Sequence, residues 1–139
     1  MKLNNRVLII DGEQQNTDEI LSIYSLGENA VGLQNYFTNE SYRYTENLQN
    51  VYETLRRGGC ESFFKIEDVI INLIYIDSLC IQTHPLIKNT KGAYTLTVKV
   101  KDGSNFRFGF DSHIDAERYL QAAESSMSYI QEKCDNVND

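Results

Sequence analysis

The chain has 139 residues, 13 Lys and Arg against 20 Asp and Glu, a net charge of −7, three cysteines and one proline. At that length one domain is expected, burying roughly 65 to 70% of the surface its unfolded chain exposes, with no need of a disulfide scaffold. The acidic balance repels phosphate backbones and anionic lipid alike, so neither direct nucleic-acid binding nor membrane association is expected.

Cys60, Cys80 and Cys134 form an odd set without short spacings, which fits reduced thiols in a cytoplasm. There is no apolar run of about 18 residues and no leader pattern, and the chain reads as soluble and cytoplasmic. Val7 to Ile10 is a short apolar strand ended by Asp11-Gly12, and the polar segment Glu13 to Asp18 shows no periodicity. Ile20 to Ser25 and Ala30 to Phe37 are two further runs, with a turn at Gly27-Glu28-Asn29 between them, and Thr38 to Ser41 turns the chain into Tyr42 and Tyr44. The first third therefore reads as an antiparallel meander.

A short helix comes next. Thr45 is its expected cap, and Leu48, Val51, Tyr52 and Leu55 share one face. Arg56 and Arg57 lie in its last turn, where cations suit the helix dipole, and Gly58-Gly59 stops it. A phosphate site at this Gly-rich cationic end is disfavoured, because anions prefer helix N-termini.

Phe37, Tyr42-Arg43-Tyr44, Val51-Tyr52, Leu55, and Ser62, Phe63, Phe64 and Ile66 together resemble the KTSC family of small domains. The resemblance spans residues 37–66 and implies a fold fragment of strand, Tyr-x-Tyr strand, short helix and aromatic pair. It departs from the family at Glu40, where a turn glycine is usual, in lacking a proline ahead of the helix, and in the loop from Gly58 to Glu61.

From Phe63 to Ile76 the chain is dominated by β-branched and aromatic residues, interrupted at Glu67-Asp68, and reads as one or two central strands covered on both faces. Leu79 to Thr83 adds a strand, and His84 to Gly92 forms a loop. Tyr94, Leu96, Val98 and Val100 then alternate with polar residues, Asp102-Gly103 makes a tight turn, and Phe106, Phe108 and Phe110 alternate on the return strand. Ser112 caps a long helix whose stripe is Ala116, Tyr119, Leu120, Ala123, Met127, Ile130 and Cys134. These last strands and helix resemble the closing half of a PH-like domain in layout.

The expected fold is α+β: one antiparallel sheet of about seven or eight strands, a short central helix and a long C-terminal amphipathic helix packed on the sheet. Residues 1–134 make one domain, with 1–66 as meander plus helix and 67–134 as strands plus helix, and 135–139 form a disordered tail. No internal repeat is visible.

Chemistry is sparse. His84, His113 and the cysteines lack metal-ligand spacing, no nucleophile elbow or phosphate-loop glycine pattern occurs, and the carboxylate pairs fall at turns and caps. Neither catalytic residues, a metal nor a cofactor is expected, and the chain reads as a non-enzymatic binding protein. Nine tyrosines and six phenylalanines support that class. Tyr36, Tyr42, Tyr44, Tyr52, Tyr94 and Tyr129 are candidates for a contact surface. Arg107, between Phe106 and Phe108, projects from the opposite face and either grips a phosphate or pairs with an acid across the sheet.

Two functions stand. The first is sequestration of a small phosphate-bearing, nucleotide-type signal by Tyr42, Tyr44, Arg43, Arg56, Arg57 and Arg107, at an interface of a homo-oligomer. In size and layout the chain is similar to phage anti-defence proteins of the Thoeris type, which sequester such signals. The second is an acidic interaction module or inhibitor that docks on a basic, nucleic-acid-binding partner.

Overall fold

The computed structural model describes residues 1–83 and 93–138, from 133 onward through the backbone alone. The loop expected from His84 to Gly92 and the side chain of Cys134 lie outside the described residues. The chain divides into two compact units, Met1–Asn72 and Leu73–Asp139.

In the first unit, Asp11 and Gly12 adopt positive φ of 49° and 79°, so the chain reverses within two residues. Strand β2, Val7–Ile10, is thereby paired with β3, Glu13–Asn16, with Ile10 opposite Glu13. Strand β1, Lys2–Asn4, lies on the other edge of β2. The polar, aperiodic segment Glu13 to Asp18 thus holds a strand and a 3-10 turn. Its polarity hides the strand, because the turn sets the main-chain pairing and all of β3 but Gln15 is exposed.

The Asn16 carboxamide accepts the Asp18 N–H at 3.0 Å and caps a single 3-10 turn, Thr17–Glu19. Strands β4 (Ile20–Ser25), β5 (Val31–Asn35) and β6 (Ser41–Tyr44) then form the meander. Helix α1, Leu48–Arg57, is capped by Asn47, whose Oδ1 accepts from the N–H groups of Gln49 and Asn50 at 2.9 and 3.2 Å. Asn47, and not Thr45, holds the extended backbone that puts a short polar side chain over the first turn.

The apolar run after α1 is a hairpin, β7 (Phe63–Ile66) and β8 (Val69–Asn72), turned at Glu67 with φ 51°. Strand β8 pairs with β4, giving a five-stranded sheet in the order β6-β5-β4-β8-β7. Its core joins Leu8 and Ile10 of the first hairpin to Ile23, Leu33, Val51, Leu55, Phe63 and Ile70, all buried.

In the second unit a 3-10 turn, Leu73–Tyr75, leads into β9 (Ile76–Thr83), β10 (Tyr94–Val100), β11 (Asn105–Phe110) and α2 (His113–Asn138). The Asp102-Gly103 turn is built as its residues dictate. Gly103 has φ 94°, and the Asp102 carboxylate accepts from the Ser104 N–H at 2.8 Å and hydroxyl at 2.6 Å, which holds its pKa below the usual carboxylate range. In the helix stripe Ala116 and Ala123 are buried, while Tyr119, Leu120, Met127 and Ile130 are half-buried. Helical backbone continues to Asn138, into the segment expected as a tail.

The α+β class with a short and a long helix holds, but the single sheet does not. The described strands form three sheets, of three, five and three strands. Among the described residues β3 pairs with β2 alone and β9 with β10 alone, so each is the edge of its own sheet.

That pattern exposes an internal repeat. Hairpin β2-β3, 3-10 turn, meander β4-β5-β6 and helix α1 recur in order as β7-β8, turn, β9-β10-β11 and α2. The registers agree residue by residue. Val7 opposite Asn16 corresponds to Phe63 opposite Asn72, a shift of 56 positions. Both meanders carry an irregular register at their start, beside Leu21 and Asp77. Tyr42-Arg43-Tyr44 on β6 corresponds to Phe106-Arg107-Phe108 on β11, with Arg43 opposite Gly32 and Arg107 opposite Thr97. Over residues 7–25 and 63–81 the identities are Ile10/Ile66, Asn16/Asn72, Ile20/Ile76 and Ser22/Ser78, too few to stand out in the sequence.

Asn72 is a buried anchor of the first unit, donating from Nδ2 to the carbonyl oxygens of Ile20 at 2.9 Å and Thr17 at 3.4 Å. Replacing it orphans buried carbonyls, so Asn72→Ala is expected to lower stability by about 1 to 3 kcal/mol in urea unfolding, against a change of under roughly 0.5 kcal/mol for exposed Asn50→Ala.

Candidate functional site

The sequence-chosen residues are distributed over both units. Tyr42, Arg43 and Tyr44 lie on β6 and Arg56 and Arg57 close α1, all in the first unit, whereas Arg107 belongs to the second. Within the first unit most of their polar ends are already engaged. The Tyr42 and Tyr44 rings lie parallel, 6.3 Å apart. The Tyr44 hydroxyl donates to Glu13 at 2.8 Å and accepts from Gln15 at 2.5 Å, and Tyr42 donates to Glu40 at 2.6 Å. Tyr44 is only 3% exposed, so it has no face for a stacked base.

Arg57 pairs with Glu53 at 3.8 Å, and the Arg56 guanidinium sits 5.8 Å above the Tyr52 ring. Both serve the helix end. Arg43 is exposed at the sheet edge. A shallow hollow lined by Ser25, Gly27, Glu28, Asn47, Lys65 and Asp68 sets two carboxylates against one ammonium, and Lys65 donates to Gln49 at 3.0 Å. It is not built for an anion.

The second unit offers a different surface. Tyr94 pairs with Phe110, Leu96 with Phe108 and Val98 with Phe106, so these side chains share one face. Helix α2 covers that face: Phe110 meets Tyr119 and Tyr94 meets His113, with ring centroids 5.5 and 5.4 Å apart. The opposite face consists of three cross-strand rows, Ser78–Lys99–Asn105, Cys80–Thr97–Arg107 and Gln82–Thr95–Gly109. None of these nine residues is acidic.

Lys99 and Arg107 are exposed there, and neither takes part in an ion pair among the described residues. The acid expected across the sheet from Arg107 is absent, since its neighbours in the row are Thr97 and Cys80. Thr97, 4% exposed, has a hydroxyl with no hydrogen-bond partner at the centre of this face. Buried polar atoms are rarely left so, and an unspent hydroxyl beside a free guanidinium is a donor set for an oxyanion. Gly109 lies two residues from Arg107, opposite Thr95.

The charges of this unit are unevenly distributed along the sequence. From Ile76 to Phe110 the sequence carries Lys88, Lys91, Lys99, Lys101 and Arg107 against Asp77 and Asp102. Helix α2, on the other face, carries Asp115, Glu117, Glu124, Glu132 and Asp135 against Arg118 and Lys133. Most of the acidic excess of the chain lies in the first unit, with eleven Asp and Glu against six Lys and Arg.

Cys60 and Cys80 are free thiols, and burial pushes the Cys60 thiol above its usual range. Among the described residues no group of three His, Cys, Asp or Glu is placed to hold a metal ion, and no helix is long and apolar enough to cross a membrane.

No family model and no curated protein matches the chain, and the resemblances of residues 37–66 to the KTSC family and of the C-terminal half to PH-like domains gain no support there. Among solved structures, the chain is similar to the LytTr DNA-binding domain of a putative methyl-accepting/DNA response regulator from Bacillus cereus. The TM-score is 0.55 at 14% identity, over 85% of this chain and 98% of that one. The likeness is one of fold. It overturns the expectation that no nucleic acid is contacted directly: that expectation rested on mean charge, and the fold here is shared with a domain described as DNA-binding.

Tyr44 provides a pH test of the first unit. Burial, foremost, and the bond to Glu13 push its phenol up to about 12, against an ordinary 10.0. The folded state thus keeps a proton that the unfolded chain releases near pH 10, so stability is fully present below pH 10 and is lost as pH rises toward 12. Thermal unfolding from pH 9 to 12 is expected to show this decline, and Tyr44→Phe is expected to flatten it while lowering stability at pH 9.

Proposed function

We propose that the chain is a non-enzymatic nucleic-acid-binding module that engages a phosphate backbone through the Arg107 face of the β9-β10-β11 sheet. The observation that carries this reading is the grouping of Arg107 and Lys99, in no ion pair among the described residues, with the orphan Thr97 hydroxyl in cross-strand rows that hold no carboxylate, exposed Asp77 standing at the irregularity where β9 begins. The fold shared with a domain described as DNA-binding supports the same reading.

Arg107 serves as the bidentate phosphate contact and Lys99 as a point charge one row away. The hydroxyl and amide residues Thr97, Asn105 and Gln82 supply neutral hydrogen bonds to backbone or base edges. The chain's acidity sets the energetics. With −7 overall, binding is confined to one face and weakens steeply with salt, because each neutralised phosphate releases about 0.9 counterion.

The test is fluorescence anisotropy of a labelled 20-base-pair duplex against salt concentration. Saturable binding is expected at 50 mM salt, with log affinity falling linearly as log salt rises. Arg107→Ala and Lys99→Ala are each expected to weaken binding and to lower the salt slope by about 1. Arg57→Ala, which removes a cation already paired with Glu53, is expected to leave the slope unchanged. Absence of duplex binding, with Arg107-dependent binding of a mononucleotide in its place, would establish a small phosphate-bearing ligand and refute the nucleic-acid reading.

A further inference from the structure

The internal repeat carries a pairing rule that the chain applies once and leaves open once. The second hairpin, β7-β8, does not remain by itself: β8 adds to β4, the first strand of the first meander, with Ser22 opposite Ile71, Ile23 opposite Ile70 and Tyr24 opposite Val69. The second meander has the same first strand in β9, with β9 and β10 in the register of β4 and β5. Among the described residues β9 pairs with β10 alone, so no described strand occupies the edge of the second repeat that receives β8 in the first.

The first hairpin has the complementary opening. Strand β3, which corresponds to β8, pairs with β2 alone, while β1 occupies the far side of β2 and leaves the β3 edge clear. Each chain therefore bears one donor edge and one acceptor edge that match a junction already formed inside the chain.

We propose that β3 of one copy adds to β9 of another, head to tail, in the register of the β4–β8 junction. Shifted by 56 positions, that register places Gln15 opposite Ser78, Gln14 opposite Leu79 and Glu13 opposite Cys80. The resulting sheet has the order β11-β10-β9 followed by β3-β2-β1 of the neighbouring copy. Because donor and acceptor edges differ, the interface is heterologous and propagates or closes into a ring.

Main-chain bonds supply most of the attraction. Strand β3 reads Glu-Gln-Gln-Asn where β8 reads Val-Ile-Ile-Asn, so association is weaker than the internal junction and reversible with concentration. A long edge such as β9, occupied by no described strand and with Leu79, Cys80 and Ile81 half-buried at its centre, is the feature that strand addition uses. Because Glu13 then joins the row of Cys80, Thr97 and Arg107, association sets a carboxylate on the face proposed for the phosphate backbone, and assembled copies are expected to bind nucleic acid more weakly.

Directly opposed residues in an antiparallel pair have Cα atoms about 4.5 to 5.5 Å apart, within disulfide reach. The natural Cys80 is therefore one half of a crosslink. In a Cys60→Ser/Cys134→Ser background, Glu13→Cys treated with diamide is expected to give a ladder of disulfide-linked dimers, trimers and higher species on non-reducing gels, dissolved by dithiothreitol. Gln14→Cys, one register away and facing the other side, is expected to crosslink at least tenfold more slowly. Sedimentation of the unmodified chain is expected to show an average mass rising with concentration, which reads the association without any substitution.

A constant monomer mass up to several hundred micromolar would overturn the proposal. So would crosslinking inside one chain, or dimers formed through Cys80 alone in the background lacking the position-13 substitution.

Discussion

The structure depends on the addition of β8 to β4. A two-stranded ribbon is marginal in water, and the apolar residues of β7-β8, among them Phe63, Ile66, Ile70 and Ile71, need further surface to be buried. By pairing with β4, the second hairpin turns a three-stranded meander into a five-stranded sheet and brings Phe63 and Ile70 into one core with Leu8, Ile23, Leu33 and Leu55. Asn72 locks the junction, because its buried amide spans from β8 to the carbonyls of Thr17 and Ile20 where the first repeat changes from turn to strand. Beyond Asn72 the chain repeats the succession of turn, meander and helix, with a longer helix in place of α1.

The two repeats differ in chemistry at the row that carries the arginine. In the first, Arg43 lies opposite Gly32 and the Tyr24 ring covers that glycine, so the row is filled by an aromatic side chain. In the second, Arg107 lies opposite Thr97 and next to Cys80, small side chains that leave the guanidinium free and the threonine hydroxyl unpartnered. The same backbone register thus serves packing in one repeat and presents polar groups in the other. Charge obeys the same division, with the first unit holding most of the acidic excess and the second concentrating its acids on α2.

Periodicity made the second half legible. The alternation from Tyr94 to Phe110, the Asp102-Gly103 turn and the α2 stripe appear in the structure close to where the sequence places them, and the outward position of Arg107 follows from parity alone. Strand β3 was hidden because a polar, exposed strand has no hydrophobic signature, and the repeat was hidden with it. Of the six residues singled out in the sequence, Arg107 alone lies on the β9-β10-β11 sheet. Tyr42, Tyr44, Arg56 and Arg57 bear the right chemistry, but their partners Glu40, Glu13, Gln15, Glu53 and Tyr52 are set by tertiary pairing or by helix-surface packing that composition does not reveal. Thr97 and Lys99 were missed because a strand threonine and lysine look ordinary until Arg107 is seen in the same and neighbouring rows. Mean charge misled most, since a net −7 conceals a basic segment from Ile76 to Phe110.

The most direct measurement is the amide NMR spectrum of the isotope-labelled chain titrated with a short DNA duplex at low salt. The account predicts shift changes concentrated at Thr95 to Lys99 and Asn105 to Gly109, with the amides of α1 and the acidic helix α2 little affected. Changes centred on Arg56, Arg57 and the end of α1, or a spectrum indifferent to DNA, would contradict it.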